Sequence, residues 1–250
     1  MKLICQCSIF ILALAAVTTG CKKNAVSPDQ ITDSLSVGYM PPVKGMQLTY
    51  QGSGGEILTN DVVDAYDSAG FRVADQHWNV DGFQYEYLSR YNDESTVIAM
   101  DTRSQYEASL QLIASQPGVT ELSNTISPFI ITLPHENAVG TIACQETQIA
   151  EYHFLIDDGS GGAMEIDFIG SYHKGTVDSV ENITVPAGTF KCLKLHYTGT
   201  LVFNSSLGQP KPPVQLDFTE WYARGIGLVR MGETTSLGEV LTYELKEIKK

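Results

Sequence analysis

The sequence predicts an all-β protein, an antiparallel up-and-down meander curled enough to hide one face of its sheet. Three observations carry that reading. Apolar residues recur at every second position in segment after segment, the period of a half-buried strand. Clusters of Gly, Asn, Asp and Ser punctuate those segments, as hairpin turns require. Residues 46–250 suffice for one β-barrel or sandwich as a single domain, and neither an internal repeat nor a second linker interrupts them.

The stripes follow in order. Met46, Leu48 and Tyr50 form the first, ended by Gly52-Ser53-Gly54-Gly55. Phe71 and Val73 lead to Trp78 and Val80, and Asp81-Gly82 supplies a two-residue hairpin signal before Phe83, Tyr85 and Tyr87. Residues 104–115 favour a helix by intrinsic propensity, yet Tyr106, Ala108, Leu110 and Leu112 alternate with polar residues, and the period predicts a strand. Tyr152, Phe154, Ile156 and Met164, Ile166, Phe168 flank the acidic, glycine-rich loop 157–162. Pro186 presets φ for the first corner of a turn and Gly188 accepts a left-handed or bulged position, so 177–185 folds back onto 189–197. Val214, Leu216 and Phe218, then 227–231, then Leu241, Tyr243 and Leu245 complete the set.

The front of the chain has a different character. Lys2 precedes the apolar run 9–17, too short for the roughly 20 residues of a membrane span, and Thr18-Thr19-Gly20-Cys21 closes it. This is the layout of a cleavable export signal over residues 1–20. Cleavage after Gly20 leaves Cys21 as an N-terminal thiol open to diacylglycerol, and the passage resembles a bacterial lipobox with Thr18 where Leu is preferred. Residues 21–45, with Ser27-Pro28, Gly38 and Pro41-Pro42, have the composition of a flexible or extended tether. The expected product is a lipid-anchored protein of the cell envelope. Lys22 after Cys21, where some inner-membrane lipoproteins carry Asp, points by analogy to the outer membrane, with either face open.

Charge and cysteines narrow the classes further. The net charge of -13 becomes -14 without residues 1–20, which hold one base, Lys2, and no acid. Nucleic acid and broad docking on anionic lipid both need clustered Lys and Arg, so composition argues against them. Cys5 and Cys7 fall within the signal, leaving Cys144 and Cys192. An even pair in an oxidising compartment suggests a disulfide, and two separately buried thiols are the alternative.

Two late passages carry a family likeness: Val185-Pro186-Ala187-Gly188-Thr189-Phe190-Lys191-Cys192, and Glu220-Trp221-Tyr222-Ala223-Arg224-Gly225-Ile226-Gly227-Leu228-Val229-Arg230. Over residues 177–245 the chain resembles exported bacterial proteins of unknown function sometimes labelled TapB-like. The resemblance implies the open half-barrel of the lipoprotein carriers LolA and LolB. Arg224 stands where that group often has Pro. The motif residues are structural on their own terms: Pro186 and Gly188 make a corner, Gly225 and Gly227 allow a bend or close approach, and Trp221 is an apolar anchor whose N–H needs a partner.

The sequence carries no catalytic or metal-binding motif of recognisable spacing. His77, His135, His153, His173 and His196 lack zinc spacing, and Asp61, Asp64, Asp67 and Asp157-Asp158-Gly159 lack the spacing of a calcium loop. Ser171-Tyr172-His173-Lys174 matches Ser-x-x-Lys without its companion motifs. No cofactor or metal is expected. The binding candidates are Trp78, Phe83, Tyr85 and Tyr87, which on a half-barrel form a concave apolar surface suited to an acyl chain or a stacked sugar ring. The leading expectation is a non-enzymatic binding module for an amphipathic ligand. The alternatives are an assembly module that meets another envelope protein and, behind it, a hydrolase of envelope polymers. Labelled palmitate is expected to enter the wild-type protein in cells and to be absent from Cys21→Ser; equal labelling of both contradicts the anchor.

Overall fold

The computed structural model describes residues 38–80, 83–101, 117–157, 162–206 and 211–250. Among them are fifteen strands and no helix. They are β1 (Gln47–Gly52), β2 (Ile57–Ser68), β3 (Phe71–Val80), β4 (Phe83–Tyr91), β5 (Ser95–Met100), β6 (Val119–Ile126), β7 (Phe129–Pro134) and β8 (Ile142–Cys144), followed by β9 (Thr147–Asp157), β10 (Ala163–Tyr172), β11 (Gly175–Val185), β12 (Gly188–Ser205), β13 (Val214–Ala223), β14 (Gly227–Thr235) and β15 (Val240–Lys249). The strand predicted for 104–115 and the Asp81-Gly82 turn lie outside the described residues.

All fifteen strands join one antiparallel sheet, in the order β6-β9-β10-β12-β13-β14-β15-β1-β2-β3-β4-β5-β7, with β11 on β12 and β8 on β11. Two runs are plain meanders, β1 to β5 and β12 to β15, and β15 pairs with β1 to weld the C-terminal run to the N-terminal one. The predicted corner is in place: Val185 faces Gly188 across Pro186-Ala187, and Gly188 has a φ of 142°, in the region that glycine tolerates best. β10 and β11 pair with successive halves of the 18-residue β12, so 163–185 and β12 form one long hairpin, interrupted at His173-Lys174.

The sheet is open but strongly curled. β6 and β7 lie at its two ends, yet only Ser127 and Pro128 separate them in sequence. Phe129 of β7 packs on Tyr172 of β10 and Tyr197 of β12, with ring centroids 4.3 and 5.2 Å apart, although those strands belong to the far side of the ladder. Alternation along each strand turns one row inward: Leu48 and Tyr50 on β1, Phe129, Ile131 and Leu133 on β7, Leu195 and Tyr197 on β12 are all nearly or fully buried. The result is an antiparallel half-barrel whose concave side is the core.

The spacer predicted for 21–45 ends earlier than its composition implies. Residues 38–41 are buried and lie against the β13–β14 turn. Gly225 N–H donates to the Gly38 carbonyl at 2.8 Å, and Tyr39 N–H donates to Thr96 Oγ1 at 2.8 Å. Met40 is 1% exposed. Arg224 places its guanidinium 4.9 Å from the centre of the Tyr39 ring and donates to the His135 carbonyl at 2.6 Å, so the residue that departs from the family pattern ties this strap to the end of β7. Two glycines make room. A Cβ on Gly38 would sit 2.5 Å from the Tyr91 ring, and Gly227, at φ +90°, leaves Pro41 a space that a Cβ would reduce to 3.1 Å. Pro and Gly here serve close packing; composition alone does not separate that from a flexible linker.

The expected disulfide is absent. Cys144 and Cys192 are separate buried thiols. Cys144 faces Gly175 and Cys192 faces Glu181, from opposite sides of β11 and six residues apart along it. At about 3.3 Å per residue that is roughly 20 Å, far beyond the roughly 7 Å limit between bridged Cα atoms. Burial pushes the Cys144 thiol up to about 11 and, with Glu181 adding to it, the Cys192 thiol up to about 12, so both stay protonated at neutral pH. Met40→Ala is expected to lower unfolding free energy in urea by about 2–5 kcal/mol, the cost of a cavity under the strap; no change indicates that 38–41 does not pack.

Candidate functional site

The concave face does not fill completely. A cavity of about 370 Å³ remains between the strap residues Tyr39, Met40 and Pro41, the β2–β5 wall and the β12–β15 wall. Three of the four binding candidates line it: Trp78, Tyr85 and Tyr87. They meet there because Trp78 pairs with Tyr85 and Gln76 with Tyr87 across the β3–β4 ladder, placing these side chains on one face. Phe83 holds the next position of that row, opposite Val80, and its side chain lies outside the described residues.

Aromatic rings cluster on both walls of the curl. Tyr50 stacks on Trp78 at 5.2 Å, and Trp78 meets Tyr87 at 5.3 Å. On the facing wall Tyr197 stacks on Phe218 at 4.8 Å, and Tyr172 meets Phe218 edge-on at 5.4 Å. Buried tyrosine hydroxyls need acceptors. Tyr50 donates to the Leu228 carbonyl at 2.8 Å, while Tyr197 and Tyr222 donate to the two oxygens of Glu220 at 2.9 and 2.7 Å.

Glu220 is the one buried acid among the described residues, 4% exposed. Burial raises its pKa, and the two tyrosine hydroxyls partly offset that by stabilising the carboxylate. Its charge in turn adds to burial in pushing Tyr87, Tyr197 and Tyr222 upward. The opposite wall carries a diagonal polar stripe. Asn60 on β2, Gln76 on β3, Ser89 on β4 and Thr96 on β5 are all buried, each one step along from the last. Asn60 Nδ2 donates to Gln76 Oε1 at 2.7 Å, and Gln76 Nε2 donates to Ser89 Oγ at 2.6 Å. Thr96 Oγ1 shares a 3.0 Å hydrogen bond with His135 Nε2, whose pKa is lowered by burial and by Arg224. Asn60 Oδ1 has no partner.

These polar residues escape an apolar-period reading because they occupy inward positions that the period reserves for hydrophobes. A signal was present in the form of single polar residues flanked by apolar ones two places away: Leu58-x-Asn60-x-Val62, Ala74-x-Gln76-x-Trp78 and Phe218-x-Glu220-x-Tyr222.

The other motif residues stand elsewhere. Trp221 lies on the convex face, where its Nε1 donates to Glu181 at 2.6 Å and its ring is flanked by Arg230 and Lys194. Gly225 and Gly227 hold the strap. His153 pairs with Asp167, and His196 with Asp217 at 3.0 Å. Asp61 accepts from Gln47, Asp64 meets Lys44, and Asp67 meets Arg72. Among the described residues no three His, Cys, Asp or Glu side chains converge as a metal site would require.

The profile of the DUF3108-like family matches residues 93–245, and the chain belongs to that family. The match reaches well before the two late passages. A protein of Parabacteroides distasonis described as a lipoprotein by inference has the same fold, at a TM-score of 0.56 and 16% identity over 86% of this chain and 99% of its own. An exported protein of Bacteroides fragilis described as having a YmcC-like fold aligns over 86% of this chain and 100% of its own, at 20% identity and a TM-score of 0.48. The hypothetical lipoprotein YmcC of Escherichia coli aligns over 91% of each chain, at 10% identity and a TM-score of 0.32. No curated protein matches the sequence.

The raised pKa of Glu220 has a signed consequence. The folded state holds this proton more tightly than the unfolded chain, so its contribution to stability is fully present below the unfolded value of 4.5 and is lost as pH rises through the folded value. The stability difference between wild type and Glu220→Gln, followed by urea unfolding across pH, is expected to shift against the wild type from about pH 4.5 upward. A difference that stays flat contradicts the buried acid.

Proposed function

We propose that this member of the DUF3108-like family is a non-enzymatic lipoprotein of the cell envelope that holds an apolar or amphipathic small molecule in the concave face of its half-barrel. The observation that carries the reading is the aromatic cavity. At about 370 Å³ it falls in the lower part of the 300–1,000 Å³ range typical of small-molecule sites, and such sites join apolar walls to a few placed polar groups. Trp78, Tyr85 and Tyr87 supply apolar faces; Asn60, Gln76, Ser89 and Glu220 supply the polar groups.

The arrangement favours binding over catalysis. The buried carboxyl has both oxygens engaged by tyrosines, so it lacks the nucleophile, base and orienting group that a hydrolytic site brings together. The export-signal layout of residues 1–20 and Cys21 support an envelope location on a lipid anchor, and Lys22 favours the outer membrane. A half-barrel on such an anchor resembles the carriers LolA and LolB, whose open concave face suits an acyl chain. The lipoprotein description of the Parabacteroides protein of the same fold agrees with the anchor.

Native mass spectrometry of the protein extracted from its own envelope is expected to show a non-covalent adduct, released at higher collision energy, beyond the acylated mass. Trp78→Ala is expected to reduce its occupancy severalfold. A wild-type spectrum that holds the acylated chain alone at mild activation contradicts the reading.

A further inference from the structure

The polar groups of the cavity are not neutral in what they accept. Asn60 is 1% exposed, lines the cavity, and leaves Oδ1 without a partner. Its stripe explains why. Asn60 gives its Nδ2–H to Gln76 and Gln76 gives its own amide N–H to Ser89, so the donors run away from Asn60 and a buried, unpaired acceptor remains at the β2 end. A buried amide oxygen left unpaired is costly, and an incoming O–H or N–H removes that cost.

Charge acts in the same direction. The lining includes Glu220, Glu233 and Asp101, and among the described residues no Lys, Arg or His lines the cavity. Glu233 is half-buried, and partial burial, with Glu239 adding to it, raises its pKa. A carboxylate or phosphate entering this space gives up its hydration with no cation to receive it and with acids beside it.

We propose that the cavity selects amphipathic molecules whose polar group is an uncharged hydrogen-bond donor, a hydroxyl or an amide, and discriminates against carboxylates and phosphates on the same chain. Asn60 is the residue that sets this preference, by accepting from the ligand at Oδ1. The inference rests on the binding function proposed above and adds the chemical class of the ligand.

The test is displacement of the neutral dye N-phenyl-1-naphthylamine from the full-length lipoprotein in detergent at neutral pH. The competitors share a twelve-carbon chain and differ only in the head: dodecanol, dodecanamide and dodecanoate. The alcohol and the amide are expected to displace the dye at concentrations about tenfold or more below those of the acid. Asn60→Leu, which removes the Oδ1 acceptor at similar volume, is expected to weaken dodecanol and dodecanamide severalfold relative to dodecanoate. Glu233→Gln is expected to improve binding of dodecanoate relative to that of dodecanol. Equal displacement by all three compounds, or an unaltered preference in Asn60→Leu, overturns the selectivity and leaves the binding function standing. Failure of the dye and every competitor to bind overturns the binding function, and the selectivity with it.

Discussion

The contact between Phe129 and Tyr172 is the constraint on which the rest depends. Phe129 begins the strand at one end of the ladder, and Tyr172 ends a strand ten places away in the pairing order. On a flat sheet with strands about 4.8 Å apart the two would be roughly 48 Å from each other. Their ring centroids are 4.3 Å apart. Only a sheet rolled nearly onto itself permits this, and the Ser127-Pro128 link between the two outermost strands holds the ends together without a hydrogen-bonded ladder between them. Once the sheet is rolled, every alternate side chain points at every other, and a single layer makes its own core.

That geometry also accounts for the cavity. A rolled sheet with no second layer must fill its centre from side chains alone, and rings anchored at the wall reach only so far inward. Tyrosine adds a further demand, because each inward hydroxyl must find an acceptor at the centre or rim. Glu220 takes two of them, a backbone carbonyl takes the third at Tyr50, and the polar stripe on the opposite wall completes a concave surface that is aromatic in area and polar at chosen points. The strap from Gly38 to Pro41 packs along one side, so the segment leading from the proposed anchor becomes part of the core before the first strand begins.

Much of this architecture was legible in the sequence. Alternation placed Leu48, Tyr50, Trp78, Tyr85, Tyr87, Tyr152, Phe154, Leu216 and Phe218 on faces that the sheet does order, and Val185-Pro186-Ala187-Gly188 folds as a hairpin because Pro fixes one corner and Gly relieves the next. What escaped has physical reasons. Asn60, Gln76, Ser89 and Glu220 are inward polar residues, invisible to a pattern that equates inward with apolar. Gly38 and Pro41-Pro42 read as spacer because the residues that permit flexibility also permit close approach to Gly227 and Tyr91. The cysteine pair read as a bridge because parity carries no distance, and β11 separates the two thiols. The link of β1 to β15 and the roll of the sheet are long-range pairings, set by which edges meet and not by local period.

The most direct measurement is a nuclear Overhauser effect between the aromatic ring protons of Phe129 and Tyr172 in the folded protein with selectively labelled Phe and Tyr. The rolled half-barrel predicts a strong cross-peak, and a second one from Phe129 to Tyr197. Absence of both peaks, in a protein whose strand hydrogen bonds are intact, contradicts the roll and with it the enclosed aromatic face.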